Sequence, residues 1–146
     1  MNWKFEAIDK LKSYELKKEA LRTIPEEIKD LEEQFCSIRG ALSDSEPVKG
    51  SAGSRREDVL LNNITKRDEL EKARQLAERT VHRIDSALSA LTEEEQIVLR
   101  RFYIEPEMGN VERLCSELGI EKATVYRRRN DALRRFTMAM YGCCET

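Results

Sequence analysis

Ile24, Ile28, Leu31, Phe35, Ile38 and Leu42 follow one another at steps of 4, 3, 4, 3 and 4. A strand, whose side chains alternate with period 2, cannot gather such a set on one face. A helix can, because steps of 3 and 4 lay apolar residues along one narrow heptad stripe. Left alone the stripe would stay wet, so the helix needs a partner. Leu70, Ala73, Ala77, Val81, Ile84, Leu88 and Leu91 form a second stripe of nearly the same period. Ala73 and Ala77 are small enough for close helix approach. Upstream, Val59, Leu60, Leu61 and Ile64 fall out of register, with Asn63 and Lys66 on the extended stripe. A stutter or frayed helix is expected there. Between the stripes, Ser43 to Ser54 reads SDSEPVKGSAGS. Its Gly, Pro and Ser content predicts a loop of weak order. Such a connection lets the flanking helices pack antiparallel within one chain, while pairing between two chains in a homodimer stays open.

Trp3, Ala7, Leu11, Tyr14 and Leu21 recur at helical spacing from Asn2 to Leu21, with no Gly or Pro between them. Thr23-Ile24-Pro25-Glu26-Glu27 reads as a break and a restart, because proline fits the first turn of a helix and the acidic pair suits the positive end of its dipole. Arg55 to Ala90 reads as one long polar helix. Charged residues make up 37% of the chain and aromatic residues 6%, which suits long helices joined by narrow seams.

No apolar run is long enough to cross a bilayer, and Met1-Asn2-Trp3-Lys4 leads into no signal-peptide core; a cytoplasmic protein without a membrane partner is expected. Cys36, Cys115, Cys143 and Cys144 lack C-x-x-C spacing, and His82 is the one histidine. Zinc binding is therefore not expected. The thiols read as reduced, two in helices and two in a fraying tail, and His82 as a surface residue beside its stripe. There is no Gly-rich phosphate loop and no nucleophile at a recognisable distance from a base. Neither an enzyme nor a cofactor is expected.

The C-terminal third carries the functional signal. Thr92 is a good N-cap with Glu95 at the third helical position, a capping box. Ile97, Val98 and Phe102 are expected to face inward, Pro106 and Gly109 to end this helix, and Asn110 to cap the next, Val111 to Leu118. Gly119 then reads as a turn residue. Val111, Leu114, Cys115 and Leu118 point inward before it; Val125, Ala132, Leu133 and Phe136 point inward after it, and Ile120 seals the turn. Two such helices about a glycine make a helix-turn-helix.

The second of these, 121–137, is the one that would dock in the major groove of double-stranded DNA by its N-terminal end. Its solvent side shows Lys122, Ala123, Thr124, Tyr126, Arg127 and Asn130. Arg127 could read a guanine edge and Asn130 an adenine edge. Thr124, Tyr126, Arg128 and Arg129 suit phosphate contacts; Arg134 and Arg135 suit flanking backbone or plain solvation. From Lys122 to Arg135 six basic residues stand against Asp131 alone, a local charge of +5, although the whole chain carries −2. Local potential governs binding, so the local count decides. About five neutralised phosphates would give a slope of log affinity on log salt near −4 to −5. An Arg-rich face can also be mere solvated surface. The glycine turn, the capping box, the apolar spacing and the charge bias together favour DNA.

LTEEEQIVLRRFYIEP followed by LCSELGIEKATVYRRRNDALRRF, residues 91 to 136, resembles region 4 of bacterial sigma-70-type factors, the part that binds the −35 promoter element. It is more similar still to the sigma-region-4-like regulators of phages and prophages, such as the ArpU group. Leu91-Thr92 and Gln96 match the family's entry helix, Leu118-Gly119-Ile120 its turn, and Thr124-Val125-Tyr126-Arg127-Arg128 with Ala132-Leu133 its recognition helix. The resemblance covers the last third of the chain. It implies a helical N-terminal segment, a C-terminal DNA-binding domain and RNA polymerase as a neighbour on the promoter. Cys115 stands where the family usually has Ala, and Ile104 to Asn110 is longer and more acidic than usual. Nothing upstream resembles the sigma regions that melt promoters or bind core polymerase, so a regulator is expected and not a free-standing sigma factor. The expected fold is all-α: a coiled-coil hairpin over 1–90 with a flexible loop at 43–54, then a helix-turn-helix domain over 91–140. Two other functions fit in part. A phage small terminase subunit also joins a helix-turn-helix to oligomerising helices, usually in the opposite order. A coiled-coil interaction module would have no use for DNA.

Overall fold

The computed structural model describes residues 1–44 and 51–144, and the protein is all-α, with no strand among the described residues. Helix α1 is Trp3–Asp44, α2 Ser51–Ser89, α3 Glu93–Leu99, α4 Asn110–Leu118 and α5 Lys122–Tyr141; a π-helical turn, Arg100–Ile104, continues α3. By packing the chain divides into two compact units, Lys18–Glu78 and the combination of Met1–Lys17 with Arg79–Thr146. The division falls inside α1 and α2. Of the expected loop at 43–54, helix covers 43–44 and 51–54, and 45–50 lies outside the described residues.

The unit Lys18–Glu78 is a helical hairpin. Leu31 is buried, with Ile24, Ile28, Phe35 and Ile38 half-buried on the same stripe; the side chain of Leu42 lies outside the described residues. Leu31 meets Asn63 at nearly equal distances from the ends Asp44 and Ser51, as an antiparallel pair requires. The expected break at Pro25 does not occur, since α1 runs through it. Pro25 sits on the exposed face, so the Leu21 carbonyl that loses its helical partner is on the side open to water, and the apolar stripe holds both halves in line.

No stutter occurs in α2 either. Leu60, Asn63, Arg67, Leu70, Arg74 and Ala77 are half-buried or buried at steps of 3, 4, 3, 4 and 3, with Glu71 half-buried beside them. The heptad continues with polar members. Lys66 and Ala73, expected on the stripe, are exposed, and Arg67 and Arg74 take those places. Asn63 Nδ2 donates to the Leu31 carbonyl at 2.8 Å. Its Oδ1 accepts from Arg67 Nε at 2.9 Å, and the Arg67 guanidinium lies 4.9 Å from the Phe35 ring centre. Both ends of the buried amide are therefore satisfied, which removes the penalty that would otherwise exclude it. A single such polar pair on a seam selects one register among several.

In the other unit Ala7, Leu11 and Tyr14 of α1 are buried, as are Val81, Ile84, Ala87 and Leu88 of α2. The Tyr14 hydroxyl donates to Asp85. Burial, and then this carboxylate, pushes its pKa up to about 12. Trp3 packs on Tyr141 with ring centres 4.9 Å apart, so the first turn of α1 holds the last turn of α5. The tail does not fray where expected. Gly142, at φ 72°, ends α5 and Cys144 beyond it is buried. All four thiols are free.

Candidate nucleic-acid interface

The surface of α5 is positioned by what lies behind it. Val98, Leu114 and Val125 are fully buried together, and Ile97, Phe102, Val111, Cys115, Leu118 and Ile120 pack around them. Further along α5, Ala132, Leu133, Phe136 and Thr137 continue the buried side. Thr92 caps α3 through its reciprocal box with Glu95, whose backbone N–H donates to Thr92 Oγ1 at 3.2 Å. The helix ends where Pro106 dictates, at Ile104. The residue before a proline is pushed out of the helical region, and Glu105 has φ −127° and ψ 69°. The last turn widens, its Glu105 N–H donating to the Arg100 carbonyl at 2.8 Å.

Asn110 does not cap α4 as expected. Gly109, in the left-handed region at φ 78°, precedes the helix, and Asn110 turns its side chain backwards. Its Oδ1 accepts from the Glu107 N–H at 2.9 Å and its Nδ2 donates to the Arg101 carbonyl at 2.6 Å. That braces the connection between Arg101 and Asn110. Gly119, at φ 66° and ψ 36°, ends α4. Its N–H and that of Ile120 both donate to the Cys115 carbonyl, at 2.9 and 3.3 Å. A side chain at this φ is strained, which is why glycine stands here.

Of the expected contact residues, Lys122, Tyr126, Arg127, Arg128 and Asn130 are exposed, while Thr124 and Arg129 are half-buried. They do not share one surface. Ala123, Arg127, Asn130 and Arg134 line up at steps of 4, 3 and 4 on the side away from the core. Lys122, Arg127 and Arg134 carry no ion pair among the described residues. Arg128 instead pairs with Glu94 at 3.1 Å, and Arg135 with Glu95 at 2.8 Å. Arg129 lies over two neighbouring rings, 5.2 Å from the centre of Phe102 and 5.1 Å from that of Tyr126, and donates to Asn130 Oδ1 from Nε at 3.3 Å and Nη2 at 3.1 Å. Phe102, Glu94 and Glu95 are thus part of this surface although sequence reasoning did not place them there. The capping box located Glu95, but not its partner 40 residues on. Between the start of α3 and α5 runs an open groove of about 970 Å³, with Glu93, Glu94 and Glu95 on one wall and Arg128, Asp131, Arg134 and Arg135 on the other.

Taken together these features define an all-α protein that offers the outer face of one long helix, partly cationic, on a small buried core. Residues 40–137 match DUF1492, a family of proteins of unknown function, and the chain belongs to that family. No curated protein and no solved structure is significantly similar to it. Among the described residues no three metal-ligating side chains converge, and no helix is long and apolar enough to cross a membrane.

Proposed function

We propose that the protein is a sequence-specific DNA-binding transcriptional regulator of the sigma-region-4-like kind, encoded by a phage or prophage and acting in the cytoplasm. In this reading α4, the Gly119 turn and α5 are a helix-turn-helix, and α5 enters the major groove by its N-terminal end. The observation that carries it is the uncovered row of Ala123, Arg127, Asn130 and Arg134, held outward by the burial of Val125, Ala132, Leu133 and Phe136 on the other side. Arg127 reads a base edge; Lys122, Thr124 and Tyr126 anchor phosphates. RNA polymerase beside the site is the expected second partner. A homodimer through the 18–78 hairpin would bring two copies of α5 to two half-sites.

Selection of bound duplexes from a random pool, with sequencing, tests the reading. An enriched motif that weakens with Arg127→Ala is the expected result. Binding without enrichment would point to packaging or architecture, and no binding at low salt would remove DNA from the function. With Arg128 and Arg135 paired and Arg129 turned onto the Phe102 and Tyr126 rings and Asn130, Lys122, Arg127 and Arg134 are the basic side chains left to meet phosphates. The expected salt slope is therefore about −3, shallower than the residue count alone implies.

A further inference from the structure

Arg127 and Arg134 are seven residues apart, as are Arg128 and Arg135. Seven residues are almost two full turns, so the four guanidinium groups form two parallel rows along α5, about 100° apart around its axis. Only one row faces acids. Glu94 takes Arg128 and Glu95 takes Arg135, while the row of Arg127 and Arg134 has no such partner among the described residues. Glu95 is held in place for this by its own helix, since its Oε1 also accepts from the Thr92 N–H at 3.2 Å and from Thr92 Oγ1 at 2.9 Å. Its side chain is only 13% exposed, against 60% for Arg135.

We propose that Glu94 and Glu95 are specificity-determining residues of α5: they occupy Arg128 and Arg135 and so restrict its phosphate-binding charge to the row that also carries Asn130. The inference rests on the DNA-binding reading and names the residues that tune it. Phosphate contacts supply most of the sequence-independent affinity. Two arginines withdrawn from that pool lower binding to arbitrary DNA more than binding to a cognate site, where base contacts add to the total. Surface pairs of this type are weak, so the carboxylates act by cancelling the local potential at Arg128 and Arg135, and the same arginines meet a phosphate once that negative charge is removed.

The test is a salt titration of binding to random-sequence duplexes by fluorescence anisotropy, using the full chain. Glu94→Gln and Glu95→Gln are the informative variants, because glutamine at the third helical position preserves the capping box. Glu93→Gln is the control: it removes a charge from the same groove wall without an ion pair to release. Between 50 and 200 mM salt the wild type is expected to lose about 40-fold in affinity, each single variant about 150-fold and the double variant about 500-fold. The control is expected to behave as the wild type. The reciprocal variants Arg128→Gln and Arg135→Gln are expected to leave the wild-type slope nearly unchanged, whereas Arg127→Gln and Arg134→Gln each flatten it by about 0.9.

Unchanged slopes in Glu94→Gln and Glu95→Gln, with a wild type that binds, overturn this inference and leave the DNA-binding reading standing. Equal steepening by Glu93→Gln also overturns it, since bulk charge would then suffice. Binding by the double variant alone supports it in a stronger form, and silence from both wild type and double variant overturns the inference and the reading together.

Discussion

Among the described residues of the 18–78 hairpin, Leu31 and Ala77 are the buried apolar side chains, and the rest of the seam is half-exposed or polar. In the other unit Leu11, Ile84, Val98, Leu99, Leu114, Val125 and Phe136 are all fully buried. A lone pair of helices has one face each to offer and cannot close around its contents. Several helices crossing at angles can. The hairpin therefore relies on register, through Asn63, Arg67 and the Leu31 carbonyl, while the second unit relies on volume. The same difference explains why a cationic surface can be held steadily on α5, where a filled core fixes the helix from behind.

The largest effects should separate the two regions. Phe136→Ala is expected to cost about 3–5 kcal/mol, as a large side chain lost from a filled core does. Ile38→Ala on the half-exposed seam should cost about 1 kcal/mol, because it removes less buried area and leaves no closed cavity. Urea unfolding of both variants measures this, and equal losses would end the comparison. Pro25→Ala comes next. Since α1 is continuous through Pro25, the change restores a hydrogen bond and relieves a clash, for a gain of about 2–3 kcal/mol. A helix that restarts there would gain nothing, and the urea midpoint decides.

Gly119→Val should destabilise by about 1–2 kcal/mol through its left-handed backbone alone, even though the space at that position is open. Asn63→Leu should stabilise the hairpin by about 1 kcal/mol, since a polar residue on a seam sets register at a cost in stability, the Leu31 carbonyl lies within a helix and Arg67 is only half-buried. It should also relax the register. Cross-linking between cysteines introduced at Gln34 and Asn62 would report that loss as a spread of products. The smallest effect is expected at Arg74. Its pairs with Glu71 and Glu78 lie one turn away on the same helix surface, so Arg74→Ala should shift the urea midpoint less than any of the other variants.

The inward faces of α1, α4 and α5 were legible in the sequence because each is a local period. Ile24 to Ile38 and Val125 to Phe136 state which side faces inward through spacing alone. The capping box at Thr92 and the turn at Gly119 were legible for a similar reason, as each is a backbone requirement met within a few residues. Three readings failed where a local rule met a longer-range one. Pro25 obeys its own restriction but is overridden by the seam on either side. Asn63 and Lys66 look like an interruption of the heptad until Arg67 replaces Lys66 on the seam, over the Phe35 ring, and with the Leu31 carbonyl supplies what Asn63 needs. Asn110 looks like a cap until Arg101, nine residues back, claims its side chain.

The arginines of α5 show the limit most clearly. Sequence by itself determined that the helix would be cationic and which of its residues would point away from the core, because both follow from composition and a 3.6-residue turn. Only tertiary structure decided which of those charges are free. The partners of Arg128 and Arg135 sit 34 and 40 residues away, and Arg129 lies over the rings of Phe102 and Tyr126. A charge acts through what stands within a few ångströms of it, and at that range the neighbours come from other helices.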